Sequence, residues 1–543
     1  MKTAGLPNRL IRFILKNEVN NKMNFKRIFT MLLSLTFILL FLCGCNPKQA
    51  VIKTISNLNP VKTETVDPGI DEVGFTIPYL RSDSLNPYKA TQTINQNIST
   101  LLFDSLFSLG NDFKTSNLVA DSFTSDSTKL TVTIKSGLTF TDGSALSPDD
   151  VVYSFNLAKK SDNYSAYLGN VSSAKASSSD VIFTLKAENP YEVNNLTFPI
   201  IKSGSDKDTK SSDDYSANIP TGSGRYSVTT LNNDKVLAVN KDRLGGYHPK
   251  YNYVGLKDVT EVSFIPNLFS LGEIDFYTDN FSEGKYTRYT GTSSDIELTN
   301  FVYMGINSNT KVLSDSKVRR AIALAINRSD LASISFSSFA QATSSPFHPS
   351  FYALSDCTLP PIKFDLNAGI DLLTNAGFDK VTGAGLRYSD VGKLQLKLVV
   401  NKDNSFKLSM ARSIQQSLSK AGITITIDSL SYSDYLKAIK SEAYDLYLGE
   451  TKLSNSFDLS AFFTKNGGLD YGIDTTCPSA KAYAQLESGK IQMQGFLDAF
   501  ADDLPIIPIA YREGVTVKST KIKTAVNTVA GDCFNNIDEW TTK

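Results

Sequence analysis

The sequence predicts an α/β protein of two lobes, the first of them mixed α+β. Three observations carry this. Residues 393–463 read as β-α-β-α-β, whereas residues 71–300 are strand-rich and less regular. The chain has 543 residues, 41% hydrophobic and 20% charged, which is the composition of a large globular protein with length for more than one domain.

The amino terminus reads as an address. Residues 1–22 are set aside, because Met23-Asn-Phe-Lys-Arg27 already has the form of a signal-peptide start. Ile28 to Leu42 is a run of fifteen uncharged, mostly apolar residues. A membrane-spanning helix needs ~20 such residues and a signal core ~7–15, so the run fits the signal. Leu42-Cys43-Gly44-Cys45 resembles the bacterial lipobox, which implies a signal peptide over 1–44 and lipidation of Cys45. Two acyl chains at ~0.8 kcal/mol per buried methylene make a stable anchor. Residues 45–70, polar and with three prolines, read as a flexible tether.

The body follows in periodic segments. Leu130, Val132 and Ile134 alternate as a strand with one buried face, as do Val181, Phe183 and Leu185, and Leu237 with Val239. Ser147 is the expected N-cap of a helix with Pro148 at its first position, Asp149 and Asp150 on its dipole, and Val151, Phe155 and Ala158 on its buried stripe. Pro220-Thr-Gly-Ser-Gly224 reads as a linker. A second helix begins near Asp315, with Val318, Ile322 and Ala325 at helical spacing. Leu394, Leu396, Leu398 and Val400 form a strand; Phe406, Met410, Ile414 and Leu418 a helix stopped at Gly422; Ile423, Ile425 and Ile427 another strand. A helix over 433–443 and a strand over 444–448 complete the unit, which predicts parallel pairing. Ligands of such sheets bind beyond the carboxyl ends of the strands, which places Gly449 to Asn455 at a cleft rim.

Charge and composition exclude several functions. Without residues 1–44 the chain keeps 48 basic and 54 acidic side chains, a net charge of −6 that gives no electrostatic case for nucleic acid. Two histidines, His248 and His348, argue against histidine-based metal sites and triads. No cofactor and no protein-bound metal is expected. Three body cysteines, Cys357, Cys477 and Cys533, make no disulfide framework, though one bridge is open to them. There is no nucleophile elbow, zincin motif or phosphate loop, and acid neighbours such as Asp149/Asp150 and Asp502/Asp503 point apart on a helix. No catalytic residue is therefore expected. Tyr303 and Tyr511 are equally open to lining a cleft or packing in a core.

Several segments in order resemble the family 5 extracellular solute-binding proteins of peptide, nickel and related ABC importers. They are Ser84-Leu-Asn-Pro87, Leu102-Phe-Asp-Ser-Leu106, the 130–155 block with its Thr141-Asp-Gly-Ser turn, Pro220 to Tyr226, and Asp315 to Arg328. The resemblance implies a type II periplasmic-binding-protein-like clamshell. Lobe 1 is expected over 71–300 with 501–543, holding a subdomain at 91–200, and lobe 2 over 301–500. It also implies an ABC permease and ATPase as partners, a monomeric receptor at the outer face of the cytoplasmic membrane, and an oligopeptide or similar small solute as ligand. A nickel chelate, haem or an oligosaccharide is the alternative on the same fold. A surface signalling receptor without transport, or a secreted hydrolase, is the alternative from another class. Carried over by position, the ligand-facing residues are Thr91, Gln92 and Thr93 on one side and Glu450, Thr451, Lys452 and Asn455 on the other. Peptide binders place a Trp and then an Asp in the second segment. This chain has Thr451 and Ser454 there, leaving Glu450 or Asp458 to meet a ligand amine and Lys452 suited to an anion.

Overall fold

The computed structural model describes residues 72–207, 217–281, 290–360 and 362–542. The expected signal peptide, Cys45 and the tether lie outside the described residues. Within them are three apolar cores, each built on its own sheet.

The first core lies under a four-stranded sheet. Strand Val73–Leu80 pairs in parallel with Tyr253–Val259, and Asp234–Val239 and Tyr226–Leu231 follow antiparallel. Helix Thr93–Leu102 packs beside it, and the carboxyl-terminal segment returns Phe534 and Trp540 against Phe75 and Phe276. Arg225 fixes that return. Its guanidinium donates to Phe534 O at 2.7 Å and pairs with Asp532 at 2.7 Å. The neighbouring Gly-Ser-Gly, expected as a linker, is instead a close backbone contact: a Cβ on Gly222 would stand 2.2 Å from the Leu102 carbonyl oxygen.

The second core belongs to a four-stranded antiparallel sheet of Ala120–Asp126, Lys129–Ile134, Asp180–Leu185 and Val171–Ser177, covered by helix Pro148–Ala158. The alternations expected at 130–134 and 181–185 are present, with the named residues buried. Ser147 caps the helix as expected, but Asp150 does more than meet a dipole. Its Oδ2 accepts the Ser147 N–H at 2.9 Å and hydroxyl at 2.7 Å, and its Oδ1 accepts Ser203 N–H, closing a capping box and tying in the next segment.

The third core is the largest. Its seven-stranded sheet is mixed: Gln395–Asn401 pairs in parallel with Thr424–Leu430 and Leu446–Lys452, and the latter pairs antiparallel with Thr292–Ile306. Ile506–Lys518 lies beyond, antiparallel to Thr292–Ile306 and flanked by Phe276–Asp279 and Ala340–Ala342. The β-α-β-α-β reading holds, with Gly422 at φ +80° after helix Ser405–Lys420. Two details differ. The helix expected over 433–443 spans Tyr432–Lys440, and the strand expected to end at 448 runs on to Lys452. The reason is tertiary: seven consecutive residues of that strand find backbone partners in 300–306, far away in sequence.

Strands 292–306 and 506–518 run from the third core toward the first, where Asp275 bridges to Thr76 and Ser519. Their pairing breaks between Glu297 and Phe301. The expected boundary at 300/301 therefore falls inside a strand, and that at 500/501 inside helix Met493–Asp503. Asp503 on that helix is no solvated acid, since it forms a buried ion pair with Arg319 at 2.8 Å. Cys357, Cys477 and Cys533 are all free thiols.

Candidate functional site

Thr91, Gln92 and Thr93 lie exposed at the start of helix Thr93–Leu102, on a turn held from behind. The buried Asp83 carboxylate accepts Thr91 N–H and hydroxyl, each at 3.0 Å, and Gln92 N–H at 3.0 Å. Asn95, fully buried, accepts Leu80 N–H at 2.8 Å and returns a bond to Leu80 O. Asn163 donates to Ala90 O at 2.8 Å and accepts from Gln96, tying the turn to the 161–168 segment. The surface is thus polar, exposed and rigid, as a receptor surface has to be to avoid an ordering cost on binding.

The opposite side is the end of strand Leu446–Lys452. One of its edges is fully paired to 300–306. On the other edge the parallel partner 395–401 reaches only Leu446 and Tyr447. Gly449 to Lys452 is therefore open on that edge to strand pairing among the described residues. Lys452 is exposed, with its ammonium 5.4 Å from the centre of the Tyr167 ring, so it crosses from the third core to the segment that also anchors Ala90.

Glu450, beside it, is committed internally. Its carboxylate meets Lys407 at 2.9 Å, Arg512 at 3.0 Å and Asn300 at 3.0 Å. Burial pushes its pKa up, but Lys407 and Arg512 outweigh that and hold it at about 2. Asp458, the other candidate for a ligand amine, accepts Ser460 N–H at 2.7 Å and the Tyr483 hydroxyl at 2.9 Å. Both bonds fall on Oδ1, so Asp458 is held by hydrogen bonds alone, whereas Glu450 is neutralised by two cations. Asn455 lies at a contact between cores, donating to Thr197 Oγ1 at 3.2 Å.

Tyr303 and Tyr511 are core residues. Tyr511 donates to Pro346 O at 2.6 Å, and the Tyr303 and Tyr447 hydroxyls lie 3.3 Å apart. His348 is fully buried among Phe113, Phe457 and Tyr511, and burial lowers its pKa to about 3. Its Nδ1 accepts Ser350 N–H. Among the described residues no cluster of three His, Cys, Asp or Glu side chains is placed to hold a metal. Sequence reading did not find Tyr167, Asn195 or Thr197. They carry no periodicity or motif, and distant segments bring them to the site.

Two lobes built on separate cores, joined by long strands and presenting a rigid turn and an open strand edge, define a binding protein of the type II periplasmic kind. Over residues 114–469 the chain matches the model for bacterial extracellular solute-binding proteins, family 5 Middle, and it belongs to that family. It is 26% identical over 310 residues to the glutathione-binding protein GsiB of Salmonella typhi, covering 54% of this chain and 59% of the relative. The chain thus spans about three fifths of the length of such curated relatives. Its fold is shared with NikA of Brucella suis, solved with Fe(III)-EDTA (TM-score 0.64, 17% identity, 86% of this chain and 100% of the other). It is also shared with the oligopeptide-binding protein AppA of Bacillus subtilis, solved with a nonapeptide (TM-score 0.56, 19% identity, 88% and 100%). No described helix is long and apolar enough to cross a membrane.

Proposed function

We propose that this protein is the receptor of an ABC importer, which captures an oligopeptide or similar small solute between its lobes and delivers it to a permease with its ATPase. It binds without turning its ligand over. It works as a monomer at the outer face of the cytoplasmic membrane, held there by acylated Cys45. The observation that carries the reading is the strand edge of Gly449–Lys452, open on one side, together with the rigid turn of Thr91, Gln92 and Thr93. An open edge recognises an extended peptide by main-chain pairing, and pockets tune the preference. Glu450 and Thr451 then act through their backbone, Lys452 through its ammonium, and Asn455 at the far end of the segment. With Glu450 neutralised by Lys407 and Arg512, the ligand is held through main chain and a carboxylate rather than through a free amine at that carboxyl.

Native mass spectrometry of protein purified from its own source tests this. The expected result is a co-purified peptide-sized mass, lost on mild denaturation. A protein that emerges empty, and whose melting temperature no peptide mixture shifts, overturns it. The chelate alternative draws less support, because His348 is walled in by aromatic rings.

A further inference from the structure

The loop 453–458 packs its Leu453 and Phe457 into the third core, yet its polar contacts reach the second. Ser456 N–H donates to Asn195 Oδ1 at 3.2 Å, and Asn195 Nδ2 returns a bond to Ser456 Oγ at 3.0 Å. Asn455 donates to Thr197, and Asn194 to Asn455 O at 3.4 Å. Asn194 and Asn195 belong to the short helix Glu192–Asn195, whose Val193 packs in the second core. This junction therefore joins the second core to the third.

Carboxylates surround it. Glu192, 1% exposed, accepts from Asn170 at 3.0 Å, Asn189 at 3.3 Å and Asn195 at 3.1 Å. Asp458 acts on it from the facing loop, and Glu487 from the helix behind Tyr483. The cation acting on Glu192 is Lys159, whose ammonium is already given to Leu168 O and Val171 O.

We infer that Asn195 latches the 453–458 loop, and with it Asn455, from the opposite lobe, and that the latch takes up a proton when it closes. The inference rests on the two-lobed receptor reading and deepens it by naming what controls closure. Closing seals Glu192 from water opposite Asp458, so the charged form is penalised there and relieved on opening. In the latched state burial, and then Asp458, raise Glu192 to about 7, and burial with Asp458 does the same for Glu487. An open, hydrated glutamate titrates near ~4.3. The latched state therefore binds the proton more tightly. Closure is strongest at low pH and weakens as pH rises toward and through about 7.

Hydrogen exchange of the whole protein without ligand tests this, at about pH 6 and about pH 8, with rates corrected for intrinsic exchange. Protection at 192–197 and 453–458 is expected to fall by at least roughly tenfold between these values, while the strand at 129–134 is unchanged. Glu192→Gln should flatten that fall in part, and Glu192→Gln with Glu487→Gln should abolish it. Ser456→Ala, which leaves the charges alone, should lower protection at both pH values and keep the slope. Equal wild-type protection at both values, an unaltered slope in the double variant, or unchanged protection in Ser456→Ala would each overturn the latch. No ligand is added, so failure of peptide binding leaves this test intact.

Discussion

Two buried glutamates sit in opposite electrical surroundings. Glu450 has a lysine, an arginine and an amide around its carboxylate, and stays ionised down to about 2. Glu192 has three amides and faces two more carboxylates, and its pKa rises to about 7. Burial penalises both charges alike, and the sign of the neighbours decides the outcome. The difference separates roles as well. The paired glutamate lies in the third core beneath the open strand edge, while the unpaired one lies where the second core meets the third. Glu513 belongs with Glu192: it faces Glu297 directly across the long strand pair and is also raised to about 7, by burial and then by Asp295 and Glu297.

The largest expected effect is on the paired side. Glu450→Ala strands two buried cations, and should cost ~3–5 kcal/mol in urea unfolding at neutral pH. Adding Lys407→Met should recover part of it. An alanine variant within ~1 kcal/mol of wild type would break the comparison.

The pH profile comes next. Glu450, held low, contributes stability above its unfolded value of ~4.3 that is lost as pH falls toward about 2. Glu192, Glu487 and Glu513, held high, contribute stability below ~4.3 that is lost as pH rises through about 7. Thermal melts should therefore show a decline from mildly acidic to mildly basic pH. Glu192→Gln should gain ~1–2 kcal/mol near pH 8 and nothing near pH 4. A wild-type melt that is flat across that range removes the contrast. The smallest effect on stability is expected at Lys452, exposed at the strand end. Lys452→Ala should change unfolding by under ~0.5 kcal/mol, yet weaken acidic peptides more than neutral ones in a calorimetric titration. Equal weakening of both would remove the ammonium from ligand recognition.

Much of the local structure was legible in the residues themselves. Ser147-Pro148 announced a helix start, Ala421-Gly422 a helix stop, and Leu130, Val132 and Ile134 a half-buried strand, and each is found there. The exposed turn at 91–93 follows a motif, but the carboxylate that fixes it, Asp83, gave no signal of its own. The strand end at 452 was not legible, since Glu450-Thr451-Lys452 has no apolar alternation to mark it. The commitments of Glu450 were hidden for the same reason: Lys407 and Arg512 lie 43 and 62 residues away.

By itself, then, the sequence determined the order and kind of its elements, because periodicity, caps and turn residues act over a few neighbours. It also determined the family, because the motifs that carry the resemblance are contiguous. Tertiary structure alone decided which edge of 446–452 stays open, which glutamate is neutralised, and which distant segment meets the 453–458 loop. Those outcomes depend on charges and backbone groups from distant segments meeting in a medium where water no longer screens them.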